Sequence, residues 1–157
     1  MKKLFCTIVL LILGYIGLQA QSCFTPVWTG NGYDHMNFYV YSAVYNGAAL
    51  QAGDEIGIFD GDACVGRATL TGVITESNYL SIVAVQDDPG TPAKDGFTVG
   101  NPVTFRYCIN QSAVDNVQAT YVAGTGLFAM GGSAEVQLTG LTSTYTITAS
   151  ANTGGTI

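Results

Sequence analysis

The sequence predicts an all-β protein: an antiparallel β-sandwich of jelly-roll or immunoglobulin-like type, following a cleaved signal peptide. Three observations carry this expectation. Helical periodicity is almost absent after residue 20. Short β-branched and aromatic runs recur there instead, separated by Gly, Asn, Asp and Pro, which punctuate strands. The spacing of those runs suits a sandwich or barrel in a single domain.

The runs are Phe24–Thr29, Met36–Tyr45, Glu55–Phe59, Cys64–Thr71, Tyr79–Gln86, Pro102–Ile109, Asn116–Val122, Ala134–Leu138 and Tyr145–Ala149. Along Asn37–Tyr45 the alternation sends Phe38, Val40 and Val44 to one face and Tyr39, Tyr41 and Tyr45 to the other. The purely apolar set is the expected inner face. The tyrosines, whose hydroxyls need an outlet, are the expected outer stripe.

The first twenty residues read differently. Met1-Lys2-Lys3 precedes an apolar run from Leu4 to Leu18, and Leu18-Gln19-Ala20 ends on a small residue. A basic start, a short apolar stretch and a small-residue cut make a secretory signal peptide. The run is shorter than the roughly twenty apolar residues a membrane span requires, and no second one follows. Residues 1–20 are therefore the expected leader, 21–140 the β-sandwich module, and 141–157 a linker or the start of a following β repeat. The expected location is secreted or cell-surface, with no transmembrane segment in the mature chain.

Cleavage would leave Arg67, Lys94 and Arg106 against eleven carboxylates, a formal charge of −8. A polyanion is bound by a basic surface that displaces its counterions, so no nucleic-acid partner is expected. Three cysteines remain, Cys23, Cys64 and Cys108, an odd number for an oxidising compartment. Cys64 and Cys108 lie in strand-like runs and could face each other across a sandwich. Cys23 closes Ala20-Gln21-Ser22-Cys23, a loose lipobox with alanine where leucine is usual. Burial as a small apolar residue is open to all three.

Parts for catalysis are missing. The one histidine, His35, sits in the turn-like Gly32-Tyr33-Asp34-His35; there is no Gly-x-Ser-x-Gly elbow, and a zinc site would need further histidines or clustered cysteines. Pairs of carboxylates occur by chance in any acidic chain, and a small sandwich has little room for a sugar-cleaving cleft. The expectation is that the protein is not an enzyme.

Two ligand readings remain. Asp60-Gly61-Asp62 is a hairpin turn in which Gly61 takes positive φ and the aspartates bond their own backbone. Calcium is the alternative, because hard cations want six to eight oxygens and Asp60, Asp62, Asp87 and Asp88, with Asp54 and Asp95, offer carboxylates on short loops. The EF-hand spacing is not present, and no cofactor is expected beyond such a structural calcium. The second lead is aromatic: Trp28, Tyr33, Tyr39, Tyr41 and Tyr45 gather in and between the first two runs beside Asn31, Asp34 and Asn37. Sugar rings stack on flat aromatic faces, with amides and carboxylates taking their hydroxyls. The competing reading makes Trp28 a core anchor and the tyrosines cross-strand pairs.

The stretch Gly53-Asp54-Glu55-Ile56-Gly57-Ile58-Phe59-Asp60-Gly61-Asp62-Ala63-Cys64-Val65-Gly66 resembles a β-sandwich module of secreted, multidomain Bacteroidetes-type proteins. Such modules continue to an Asp-Asp-Pro and Asp-Gly-Phe loop, here Asp87-Asp88-Pro89 and Asp95-Gly96-Phe97. The resemblance runs from Trp28 to Leu138 and implies an extracellular, non-catalytic accessory role without an established ligand. The end of the chain, Tyr145 to Ile157, resembles the opening strand and turn of divergent internalin-type B repeats, which implies the N-terminal piece of a longer protein. The expected function is thus an extracellular binding or adhesion module meeting a glycan or a surface protein. The alternatives are a structural spacer and the accessory domain of a secreted hydrolase.

Overall fold

The computed structural model describes residues 22–28 and 32–142. The expected leader and the expected strand Tyr145–Ala149 lie outside them. Among the described residues eight strands form: β1 (His35–Tyr45), β2 (Ala48–Ala49), β3 (Glu55–Asp60), β4 (Ala63–Thr69), β5 (Leu80–Val85), β6 (Thr104–Ile109), β7 (Ser112–Ala123) and β8 (Ser133–Gly140). No helix among the described residues is long and apolar enough to cross a membrane.

The strands make one curled, sandwich-like sheet in the order β2-β1-β8-β7-β6-β3-β4, with β5 also on β1. β5 pairs with the first half of β1 and β2 with its end, while β8 runs along the other edge. Every pair is antiparallel except β1–β8, which is parallel, so the sheet is mixed where an antiparallel one was expected. The first and last of the described strands, β1 and β8, lie side by side as second and third in that order.

The curl brings β4 and β5, from opposite ends of the ladder, against each other. A side chain at Gly66 on β4 would collide with the Val83 carbonyl and the Ala84 Cα on β5. Glycine lets the two backbones meet there. The enclosed core centres on Phe38, whose ring meets Phe105 and Phe128 edge to face at 5.7 and 6.2 Å. Phe97, delivered by the loop after β5, stacks on Phe128 at 4.6 Å.

Of the expected strand Phe24–Thr29, the described part, residues 24–28, is instead a strap across the outer side of β3 and β4. Its Val27 amide donates to the Cys64 carbonyl, and Pro26 has no N–H to extend a ladder. Phe24 packs edge to face on Phe59 at 5.2 Å, closing a second small core with Cys64 and Cys108. Ser22 and Arg67 hold the buried Glu55 carboxylate at 2.7 and 3.0 Å. A disulfide, Cys23–Cys108, staples the strap down, with Cα atoms 5.7 Å apart.

That pairing corrects the expectation for the cysteines. Cys64 lies opposite Phe59 and Cys108 opposite Glu55, so β3 stands between them and they are offset by four residues along it. At about 3.3 Å per residue and 4.8 Å per strand spacing the gap exceeds disulfide reach. Cys64 is free and buried. Cys23, its sulfur bonded to Cys108, is not available for a lipid thioether.

Candidate functional site

Period-two alternation holds through the first half of β1: Met36, Phe38 and Val40 are buried and Tyr39 points outward. It then breaks. Val40 pairs with Val136 and Ser42 with Gln137, which leaves Tyr41 as an extra residue in a β-bulge. Tyr41 stays outward, and beyond it the phase inverts. Ala43 is buried in the place expected for Val44, and Tyr45 packs on the core rather than in the outer stripe.

A matching bulge lies across β8. Tyr121 pairs with Val136 and Ala123 with Glu135, leaving Val122 unpaired and 60% exposed. The two bulged residues flank the outward residues of β8. Together Tyr41, Val122, Glu76, Glu135 and Gln137 line an open depression of about 230 Å³. Bulges re-aim side chains and concentrate beside functional sites.

Tyr79, just before β5, completes the patch. Its ring meets Tyr39 edge to face at 5.7 Å and Tyr41 at 5.5 Å with a 51° tilt. Tyr79 is half exposed, and Val83 beside it on the same face of β5 is exposed too. Partial desolvation, the Glu135 carboxylate and the neighbouring Tyr79 and Tyr39 raise the Tyr41 hydroxyl above the ordinary tyrosine range.

The structure thus gathers two of the five aromatics singled out in the sequence, Tyr39 and Tyr41, and adds Tyr79. The others lie elsewhere. Trp28 is half-buried on the strap, its indole donating to the Val65 carbonyl at 3.2 Å. Tyr33 is exposed in the bend ahead of β1. Tyr45 abuts Gly140 at the far end of the curl. Glu76, Val122, Glu135 and Gln137 were not singled out, although outward alternation in Ala134–Leu138 marks Glu135 and Gln137.

The aspartates are spent on the fold's own donors. Asp60 is buried, and its carboxylate accepts from Lys94 Nζ, the Thr98 amide and Asn101 Nδ2, each at 2.8 Å. Burial opposes its ionisation, but those three donors prevail and hold the carboxyl below the usual range. Asp62 is fully exposed and meets Arg106 at 3.1 Å, while Gly61 takes the positive φ expected of the turn, 62°. Asp87 accepts from the Asp95 amide at 2.7 Å, Asp95 from the Asp88 amide at 2.9 Å, and Asp88 from the Gly90 amide at 2.8 Å. Among the described residues no three acidic, histidine or cysteine side chains gather in one group. His35 opens β1 rather than sitting in a loop, exposed, with Asp34 at 3.9 Å. Comparison of the chain with protein-family models, with curated proteins and with solved structures finds no match to any of them.

Proposed function

We propose that this chain is a non-catalytic, secreted or surface-exposed binding module that holds a glycan on the outer face of β1, β8 and β7. The observation that carries the reading is the convergence of Tyr39, Tyr41 and Tyr79 beside a depression edged by Glu76, Glu135 and Gln137. Aromatic rings offer apolar faces for sugar C–H groups, and carboxylates and amides accept or donate to sugar hydroxyls. A depression of about 230 Å³ suits one ring-sized group of a longer chain better than a whole drug-sized molecule.

A glycan array probed with the secreted protein tests this. Tyr79→Ala and Tyr41→Ala are each expected to lower binding about tenfold or more, since exposed aromatic anchors dominate such contacts. The thermal midpoint of Tyr79→Ala should move little, because the ring is half exposed. Binding that persists in both variants, or no glycan bound by the parent protein, would remove the proposal.

A further inference from the structure

We infer that this surface selects glycans bearing a protonated amine, the amino-sugar class, over neutral, uronate or sulfated chains; the inference rests on the glycan reading above. Glu76 and Glu135 both line the depression. The three cations after the expected leader are engaged elsewhere: Arg67 with Glu55 at 3.0 Å, Lys94 with Asp60 at 2.8 Å, and Arg106 with Asp62 and Asp115 at 3.1 and 3.4 Å. No lysine or arginine among the described residues pairs with either groove carboxylate. Two unneutralised carboxylates beside tyrosine rings make a surface for an ammonium group, which gains from the charge and from the ring faces together. The same field repels uronates and sulfates.

A lysine-bearing peptide offers the same charge, but the backbone here does not suit one. Both edges of β1 are occupied, by β5 and β2 on one side and β8 on the other, and β8 lies between β1 and β7. No main-chain ladder is on offer to a peptide strand at this face. What is on offer is side chains: rings, two carboxylates and an amide.

The experiment titrates the secreted protein at low salt with glucosamine oligomers, their N-acetylated counterparts, polygalacturonate and a lysine-rich peptide. Glucosamine oligomers are expected to bind about fivefold tighter than the N-acetylated ones, the scale of an exposed ion pair. The preference should shrink with added salt. Glu135→Gln and, independently, Glu76→Gln should reduce the preference while each keeps its thermal midpoint, and Tyr79→Ala should weaken both sugars alike. Equal binding of the two sugars, insensitive to salt, overturns the amine inference and leaves the glycan surface standing. Polygalacturonate binding as tightly as the amine overturns it as well. Binding to the lysine peptide with no sugar bound overturns both readings, as does binding to none of the four.

Discussion

Tyr107 and Tyr121 point into the curl of the sheet, whereas Tyr39, Tyr41 and Tyr79 stand outside it. The inner pair fills volume: Tyr107 is fully buried, and the hydroxyls of both are buried without a hydrogen-bond partner. Burial pushes both hydroxyls above the ordinary tyrosine range. Outside, Tyr39 and Tyr41 each meet the ring of Tyr79, which stays half in water. One residue type therefore serves as ring-shaped filler inside, where its oxygen is a cost, and as accessible surface outside, where that oxygen is usable.

The largest test of this contrast is on the inner wall. Phe38→Ala should cost about 3–5 kcal/mol in urea unfolding, from lost transfer energy and the cavity left among Phe105 and Phe128. A cost near that expected for an outer tyrosine would erase the distinction between the faces.

Asp60→Ala sharpens it, because Asp60 is a buried polar group whose oxygens are all engaged. Loss of the carboxylate strands the Thr98 amide and Asn101 and should cost about 2–3 kcal/mol. Its folded-state pKa lies below the unfolded value of about 3.9, so its contribution is present in full above that pH. It is lost as pH falls through the lower, folded-state value. Acid titration of stability should therefore show a step in the parent protein that is absent from the variant.

Tyr107→Phe should have the smallest effect and the opposite sign, a gain of about 1 kcal/mol, since it deletes a buried hydroxyl that lacks a partner. A loss of that size would mean that the oxygen is satisfied after all, by the neighbouring Val44 backbone or a trapped water.

Much of the fold was legible in the sequence because strand signals are local. Seven of the eight expected runs that fall on described residues became strands, and the inward set Phe38 and Val40 followed from alternation alone. What escaped depends on distant partners. The bulge at Tyr41 exists because β1 must match β8, some ninety residues later, and no pattern within β1 announces the phase change that buries Ala43 and turns Tyr45 inward. The strap failed as a strand because Pro26 and the disulfide, not a ladder, fix it. The parallel β1–β8 pair is a matter of topology that turn signals do not report. In the candidate site, Tyr39 and Tyr41 were visible as a stripe. Tyr79, Glu76, Val122, Glu135 and Gln137 meet them only through the packing of β5, β7 and β8 around β1.

The parallel seam between β1 and β8 also has a consequence in time. β1 pairs Asn37 with Ser133 through Tyr45 with Gly140, so the central ladder cannot close before nearly the whole module has been synthesised. Contacts of such sequence separation demand the loop-closure entropy first and return stability late, which makes folding slow. Under the proposed reading of the chain as secreted, that delay is an advantage for a polypeptide that crosses a membrane before folding. A polypeptide emerging N-terminus first has β1 in hand but not β8, the strand that seats beside it, and so stays threadable until its last strand is clear. The Cys23–Cys108 bond, joining the strap to β6, can likewise form only after most of the module has emerged.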